Sequence, residues 1–158
     1  MVNAEGFAPF SGADAKILIL GSFPSVLSRK NNFYYGNGRN RFWRTLARAF
    51  GESEPVTVPD KKAFLIRNGV ALWDIVKKCD IDGSLDSAIR NPEIADVPSF
   101  LSKAAIQAVF TNGATAYGLL KRAFPEIAKA AIPLPSTSPA NTRFDERVWL
   151  DALKPFAR

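Results

Sequence analysis

The chain has 158 residues, with 21 Lys and Arg against 15 Asp and Glu, a net charge of +6 and no histidine. The missing histidine excludes Ser-His-Asp and Cys-His catalysis, histidine general bases and histidine metal ligands. The single cysteine, Cys79, excludes a zinc ribbon, an iron–sulfur cluster and an intrachain disulfide. Any chemistry must therefore use amides, carboxylates, hydroxyls, lysines or the backbone.

Size and charge also restrict the class of protein. The length suits one domain, which we take to span residues 1–158. No apolar run approaches the roughly 20 residues of a membrane helix, and the N-terminus lacks a secretory signal pattern. We therefore expect a cytoplasmic protein with no membrane partner. Its basic charge indicates a polyanion such as DNA as partner, although charge alone is a weak signal.

The first third of the chain predicts a strand, a long loop and a helix. Residues 1–15 are a lead-in, and the apolar run 16–20 before Gly21 is typical of a buried parallel strand. The polar stretch 22–39 is long for a connection, and such loops usually carry function. From Asn40 an apolar stripe at helical spacing faces away from several arginines. The stripe consists of Phe42, Trp43, Leu46, Ala47 and Phe50.

The remaining chain continues the alternation of strands and helices. Its predicted elements are a helix that Asp60 caps and Asn68-Gly69 closes, a strand at 70–76, one or two short helices within 84–105, a strand at 106–111, a helix at 114–124, a strand at 132–134 and a last helix that Thr142 caps. This order predicts an α/β fold of three layers, α/β/α, around a four-stranded, mostly parallel sheet. Ligands of such sheets bind beyond the carboxyl ends of the strands, where segments 21–40, 111–113 and 135–141 lie.

The loop after the first strand contains small polar and aromatic residues. It begins Gly21-Ser22-Phe23-Pro24-Ser25 and continues to Phe33-Tyr34-Tyr35. Aromatic faces can stack on an unpaired base, at about 1–3 kcal/mol per base, but they can equally close the loop onto the core. Our candidates for binding a base are Ser22, Phe23, Phe33 and Tyr35.

Asn40 stands at the predicted start of the arginine-bearing helix. Asparagine is a good N-cap, which is the simpler interpretation, and a role in a ligand site is the alternative. The two roles require different directions of the side chain. Arg39, Arg41 and Arg44 are either a solvated helix face or contacts for phosphates.

Two more segments follow predicted strands. Asn112-Gly113 is a sequence that is common in turns. Alternatively, the Asn112 amide, which is both donor and acceptor, can hydrogen-bond to the polar edge of a base. The loop 135–141, Pro-Ser-Thr-Ser-Pro-Ala-Asn, is either an inert turn or a stiff loop that approaches a phosphate chain. The candidates for contacting DNA are Arg39, Arg41, Ser136, Thr137, Ser138 and Asn141.

Among the carboxylates, Asp74 is the best candidate for a catalytic general base. It lies in Leu72-Trp73-Asp74-Ile75-Val76, flanked by apolar residues. This pattern favours a structural role, in which a strand carboxylate accepts hydrogen bonds from a nearby loop, while a catalytic role stays open. Cys79 is most simply a buried or half-buried small residue.

These motifs together resemble one known family. The strand followed by GSFPS, the YYGNGRNRFW run and the LPSTSPAN loop are similar to the motifs of the uracil-DNA glycosylase superfamily. With ALWDIV at 71–76, GSLDSAI at 83–89 and FTNG at 110–113, the chain resembles the deoxyinosine, or hypoxanthine, branch of that superfamily, which is related to the mismatch-specific uracil glycosylases. The resemblance extends from about residue 16 to 150.

The resemblance implies a uracil-DNA glycosylase-like fold and a monofunctional DNA glycosylase of base excision repair. Such an enzyme flips a deaminated base (hypoxanthine, uracil or xanthine) out of damaged or mismatched DNA and hydrolyses its N-glycosidic bond, without cofactor or metal, as an expected monomer. It implies that Asn40 positions the water, that Asn112 contacts the base and that Phe33 stacks on it. The chain departs from relatives at Phe23, where mismatch-specific members have an asparagine, and at Leu134, where many have histidine.

Two other functions are kept as alternatives. A non-catalytic module of the same fold that binds damaged or single-stranded DNA is favoured by Phe23 and by the absence of histidine. A hydrolase of free nucleosides would use Ser22 or Ser136 with a lysine, but no Ser-x-x-Lys pattern joins either serine to one. Release of free base from oligonucleotides would exclude the first alternative.

Overall fold

A computed structural model describes residues 2–157 of the chain. The strands are β1 (Val2–Glu5), β2 (Ile17–Gly21), β3 (Val70–Asp74), β4 (Val76–Ile81), β5 (Arg90–Ile94), β6 (Ala108–Asn112) and β7 (Ile132–Leu134). The helices are α1 (Val26–Asn31), α2 (Phe42–Phe50), α3 (Val58–Asn68), α4 (Val97–Ser102), α5 (Ala114–Ala123), α6 (Pro125–Ala130) and α7 (Glu146–Leu153). Short 3-10 helices span Asp86–Ala88 and Lys154–Phe156. No helix among residues 2–157 is long and apolar enough to cross a membrane.

The central sheet is four-stranded and parallel, in the order β3-β2-β6-β7, which confirms the predicted fold class. Strand β2 lies in the middle and all five of its residues are buried. Its side chains alternate between two cores, because successive residues of a strand point to opposite faces. Ile17 and Ile19 face one core, and Leu18 and Leu20 face the other. The sheet is therefore covered on both sides.

Different helices cover the two faces of the sheet. The first core is aromatic and contains side chains of α2, α3 and α7, among them Phe42, Phe64 and Trp149. The second core contains small and aliphatic residues, with Ala116 and Leu120 of α5 and Val97 of α4. All five residues of the predicted stripe on α2 are buried, which confirms that prediction.

A second sheet of three antiparallel strands, β1-β4-β5, was not predicted. The prediction of one or two helices within 84–105 is wrong for 90–94, which form β5, and correct for α4. The predicted strand 70–76 is two strands, since the chain leaves the parallel sheet after Asp74 and enters the second sheet at Val76. The lead-in contains β1, which pairs with β4. These strands are far apart in the sequence, so no local sequence pattern indicates that they pair.

Several predicted helix boundaries are corrected. Thr57, not Asp60, caps α3: its hydroxyl accepts a hydrogen bond from the Asp60 amide. Asp145, not Thr142, caps α7. Pro125 does not only end α5 but begins α6, since proline suits the first turn of a helix. On α7, Trp149 and Leu153 are buried, whereas Val148 is exposed.

Candidate active site

A cavity of about 460 Å³ lies beyond the carboxyl ends of the parallel strands. Its lining comes from residues 21–25, 28, 34–35, 40, 74, 84–87, 112–115, 136–138 and 140–141. Ser84, Leu85 and Asp86 at its border are exposed, so the cavity opens to the surface. Its volume is within the range of sites for small organic groups. All three predicted segments therefore meet at one site.

Asn40 lines this cavity and stands one residue before the N-cap of α2. Its Oδ1 accepts a hydrogen bond from the amide of Phe42, the first residue of α2, at 2.9 Å. The prediction of Asn40 as the N-cap is wrong, because Arg41 holds that position and makes no side-chain cap hydrogen bond. The bond from Phe42 instead fixes the turn that leads into the helix, orients the Asn40 side chain and leaves its Nδ2 group and one oxygen lone pair free for a ligand.

Asn112 lines the same cavity from the end of β6, with its amide tied to Thr137. Its Nδ2 donates to Thr137 Oγ1 at 3.0 Å, and its Oδ1 accepts from the Thr137 amide at 3.0 Å. Both residues are buried. The pair fixes the loop 135–141 to the sheet and uses half of the hydrogen-bonding capacity of Asn112, one N–H and one oxygen lone pair.

The loop 135–141 is held by further bonds along its length. Trp149 Nε1 donates to the Pro135 carbonyl at 2.7 Å, and Asn141 Nδ2 donates to the Ser136 carbonyl at 2.9 Å. The Arg41 guanidinium donates to the carbonyls of Ser138 and Asn141, both at 3.0 Å. This wall of the cavity is stiff because its polar groups have partners within the protein.

The GSFPS turn forms the opposite wall with the segment 83–87. Ser22 Oγ donates to the Asp86 carboxylate at 2.5 Å. The Val26 amide donates to Ser84 Oγ, and the Arg29 guanidinium donates to the Gly83 carbonyl. Phe23 lines the cavity, and Arg29 lies 5.5 Å from its ring centre. The segment that the sequence predicted as helical thus closes one side of the site.

The floor of the cavity brings together Gly21, Tyr35 and Asp74. A Cβ atom on Gly21 would lie 2.5 Å from Asp74 Oδ1 and 2.8 Å from the Tyr35 hydroxyl, so only glycine leaves room for both oxygens. The Tyr35 hydroxyl and Asp74 Oδ2 are buried and have no hydrogen-bond partner among residues 2–157. The expectation that Asp74 accepts bonds from a nearby loop is therefore wrong for this oxygen.

Burial changes the acidity of the groups on the floor. Burial, followed by the nearby Asp86 carboxylate, raises the pKa of Asp74 to about 7. Burial and then Asp74 raise the pKa of the Tyr35 phenol against a smaller opposing effect of the Asn112 amide, which approaches the Tyr35 oxygen without forming a hydrogen bond of normal geometry. The phenol stays protonated at neutral pH. Both shifts have the sign expected when a low-dielectric surrounding disfavours the charged form.

Phe33 does not line the cavity, in contrast to the prediction that it stacks on a base. Its ring is 6% exposed and is stacked on Trp43 in the aromatic core, with 6.2 Å between ring centres. The aromatic residues of this loop that do line the cavity are Phe23, Tyr34 and Tyr35. Tyr35 stacks on Phe42 at 3.9 Å, which holds its ring in place.

The arginines divide into two groups. Arg39 and Arg44 are exposed and can contact phosphates. Arg41 is half-buried, bound to the loop 135–141 and placed 5.1 Å from the Phe144 ring centre, so its guanidinium acts inside the protein. Of the four predicted loop contacts, Ser136, Ser138 and Asn141 are half-buried at the cavity, whereas Thr137 is fully buried against Asn112.

Sequence reasoning missed the position of Asp74 and the wall 84–87. The position of Asp74 had a detectable signal: a carboxylate at the end of an apolar run predicts the ligand-binding edge of a parallel sheet. The wall 84–87 had no such signal. It lies some 60 residues from Ser22 in the sequence, and local patterns do not indicate contacts over that separation.

Comparisons with known proteins agree with one another. Residues 8–154 match the family model described as the Uracil DNA glycosylase superfamily. The chain is 36% identical over 146 residues to the hypoxanthine DNA glycosylase of Methanosarcina acetivorans, covering 90% of each chain. It is 35% identical over 94 residues to the hypoxanthine DNA glycosylase of Methanosarcina barkeri, covering 59% of this chain and 60% of the other.

A solved structure extends the similarity to the fold. The solution NMR structure of a candidate uracil DNA glycosylase from Methanosarcina acetivorans superposes with a TM-score of 0.81 at 32% identity. The match covers 98% of this chain and 99% of that one.

Proposed function

The chain belongs to the uracil DNA glycosylase superfamily and is a DNA glycosylase, and we propose that it removes hypoxanthine from DNA. The names of its relatives from Methanosarcina support this choice among the deaminated bases. The wider proposal is hydrolysis of the N-glycosidic bond of a flipped, deaminated nucleotide. Uracil and xanthine are then secondary substrates, to be tested beside hypoxanthine.

One observation carries the proposal: Asn40 and Asn112 line one open cavity large enough for a small organic group. An enzyme that works on a base in DNA must take it out of the stack, at a cost of a few kcal/mol that is smallest for a mispaired base. Hypoxanthine and uracil meet that condition where they arise by deamination. The cavity supplies the place that receives the extruded base.

Breaking the bond builds positive charge on the deoxyribose and negative charge on the base. The reaction therefore needs a held water beside the sugar and hydrogen-bond donors beside the base, not a strong base. Asn40 suits the first task, since the hydrogen bond from the Phe42 amide fixes its side chain while one oxygen lone pair can accept from a water. It orients the water without taking its proton outright.

The groups around the base act as donors and as a stacking surface. Asn112 retains one N–H that its bonds to Thr137 do not use. The sequence offered both Phe23 and Phe33 as aromatic faces for a base. Only Phe23 lines the cavity, so Phe23 provides the stacking surface. Ser22 shapes the wall, since its hydroxyl is committed to Asp86.

DNA would reach the cavity across its exposed border. Arg39 and Arg44 lie exposed near Asn40 and suit contacts to phosphates, whereas Ser136, Ser138 and Asn141 present small groups of a stiff loop. Phosphate contacts of this kind position the DNA without reading its sequence. Binding should fall steeply as the salt concentration rises.

The test is base release from oligonucleotides with a single deoxyinosine, deoxyuridine or deoxyxanthosine, without added metal. Asn40→Ala should slow release of hypoxanthine about 100- to 1000-fold, the usual loss for one preorganised polar group in an active site. Asn37→Ala is the matched control. Asn37 Oδ1 accepts from the Arg39 amide two residues on, as Asn40 does from Phe42, but Asn37 does not line the cavity.

Three outcomes separate the alternatives. An unchanged rate in Asn40→Ala refutes the role of Asn40. Salt-sensitive binding of DNA with no release of any base by the wild type supports the non-catalytic module. Hydrolysis of free nucleosides but not of oligonucleotides supports the nucleoside hydrolase.

A further inference from the structure

The floor of the cavity holds two polar groups that the mechanism above does not use. The Tyr35 hydroxyl and the Asp74 carboxylate both approach Gly21, and each has an oxygen that is buried without a hydrogen-bond partner in the described part of the chain. Buried polar atoms are nearly always paired, so an unpaired one requires an explanation. Two such groups side by side in a ligand cavity indicate that a ligand completes them.

The protein itself offers Asp74 no compensation. No lysine or arginine forms an ion pair with it among residues 2–157. The groups that face it electrostatically are Asp86 of the short 3-10 helix and Tyr34 and Tyr35 of the long loop, and none of these is a cation. A carboxyl that is 4% exposed and lacks a cation is costly to keep for stability alone.

We propose that the Asp74 carboxylate and the Tyr35 hydroxyl together recognise the lactam edge of the base, an N–H beside a C=O. The carboxylate accepts from the ring N–H, and the phenol donates to the carbonyl oxygen. This inference rests on the proposed function, since it names the chemical group that the same cavity selects. The lactam edge is the feature that deamination creates in hypoxanthine and uracil.

The pair explains how adenine, the parent base of hypoxanthine, is rejected. Adenine presents an unprotonated ring nitrogen where hypoxanthine has N1–H, and an amino group where hypoxanthine has O6. An ionised Asp74 would then face a lone pair, and both groups on the floor would lose their partners. A site that hydrogen-bonds a polar group rejects an analogue lacking it by about 10⁴- to 10⁵-fold, far beyond what apolar contacts achieve.

Other polar groups of the cavity are bound within the protein. Asn112 makes two hydrogen bonds with Thr137, Ser22 donates to Asp86, and Asn40 accepts from the Phe42 amide. These bonds do not depend on which base enters, and they leave Asn112 and Asn40 N–H groups that can donate to a ligand. Tyr35 and Asp74 are the side chains of the lining with a buried polar atom that has no hydrogen-bond partner among residues 2–157, so we assign discrimination between edges to them.

Ionisation of Asp74 gives the recognition a pH dependence. The carboxylate is the acceptor, while its protonated form can donate to the unprotonated ring nitrogen of adenine. Since the pKa of Asp74 is raised to about 7, hypoxanthine release should increase as the pH rises through 7, and discrimination against adenine should weaken below it.

The experiment compares two substrates in single-turnover base release, an oligonucleotide with deoxyinosine and the same one with purine deoxyriboside, which lacks both N1–H and O6. Asp74→Asn should slow release of hypoxanthine about 100-fold but should not slow release of unsubstituted purine, because the carboxylate faces only the lone pair of N1 there and no favourable contact is lost. Tyr35→Phe should show the same pattern, about tenfold on hypoxanthine. It keeps the ring stacked on Phe42.

Equal losses on both substrates would mean a purely structural role and would overturn the inference. A pH profile for deoxyinosine that is the same in Asp74→Asn and wild type would do so as well. These failures leave the proposed function intact as long as the wild type releases hypoxanthine and Asn40→Ala does not. If the wild type releases neither base, both the function and the inference fail.

Discussion

The two sides of the cavity differ in how they satisfy their polar groups. On the loop side, Asn112, Thr137 and Arg41 are bonded to one another or to the backbone of the loop 135–141. On the floor, the Tyr35 hydroxyl and Asp74 Oδ2 have no partner among the described residues. The bonds on the first side hold the wall together without a ligand, whereas the groups on the floor lack partners. Buried groups with unmatched hydrogen bonds therefore distinguish the surface that contacts the base from the wall that encloses it.

The unpaired carboxylate on the floor should make stability depend on pH. The folded pKa of Asp74, about 7, lies above its ordinary value near 4, so the folded state binds more protons between these values. Stability from this group is full below pH 4 and is lost as the pH rises through 7, by up to about 1.4 kcal/mol per pH unit.

Asp74→Asn isolates that contribution, because all other titrating groups stay the same. Urea unfolding of wild type and Asp74→Asn from pH 4 to 8 should give a difference in unfolding free energy that grows in favour of the variant up to pH 7. A constant difference would mean that the carboxylate is compensated in the folded protein.

Filling the gap between the two floor oxygens should abolish most activity. Gly21→Ala places a Cβ at 2.5 Å from Asp74 Oδ1, closer than real Cβ atoms approach any heavy atom, so both floor groups must shift. We expect release of hypoxanthine to fall about 100-fold, since displacements of about 1 Å in an active site can cost this much.

The matched control is Gly118→Ala on α5, where nothing lies within 4 Å of an added Cβ. That variant should keep full activity and gain up to about 1 kcal/mol of stability, since alanine is the better helix former. Full activity in Gly21→Ala would contradict the assignment of the floor to substrate recognition.

Two buried threonines allow the paired and unpaired situations to be compared directly. Thr137→Val removes the acceptor of Asn112 Nδ2 and should cost about 1–3 kcal/mol of stability, with loosening of the loop. Thr45→Val removes a hydroxyl that is equally buried but has no partner among residues 2–157. It should be neutral or stabilise by about 1 kcal/mol.

Thermal unfolding of the two threonine variants measures the change in stability that each substitution causes. Both substitutions keep the size and shape of the side chain. Equal destabilisation would show that hydrogen-bond pairing does not separate the loop side from the rest of the buried interior.

The smallest expected effect concerns the arginines outside the cavity. Arg39→Ala should weaken binding of all DNA sequences alike and reduce the slope of log affinity against log salt by about one. Arg41→Ala should instead lower stability by about 1.5–3 kcal/mol, because it removes two charged hydrogen bonds to the loop carbonyls. Titrations at several salt concentrations, with unfolding curves for both variants, test this division. The reverse pattern would contradict it.

Much of the fold was open to prediction from sequence. The apolar runs at 16–20 and 70–74 and the stripe on α2 identified buried strands and a one-sided helix, because burial imposes a fixed period on each. The parallel sheet followed from the alternation of these elements. The second sheet did not, since β1 and β4 pair across more than 70 residues and neither has a distinctive pattern.

The candidate site shows the same limit in its side chains. Phe33 and Tyr35 are two residues apart in one loop, yet one ring enters the core and the other lines the cavity. Asn40 has two predicted roles, and the structure places it in the cavity but gives the N-cap position to Arg41. Composition and spacing do not contain the direction of a side chain in an irregular loop.

By itself the amino-acid sequence determined the type of fold, the three segments at the edge of the sheet and the absence of histidine chemistry, because periodicity and composition act locally. Only the tertiary structure decided which polar groups are saturated and which are left unmatched. That distinction depends on contacts such as Asn112 with Thr137 and Ser22 with Asp86, 25 and 64 residues apart. Hydrogen bonds form between atoms that are close in space, and folding alone creates that proximity.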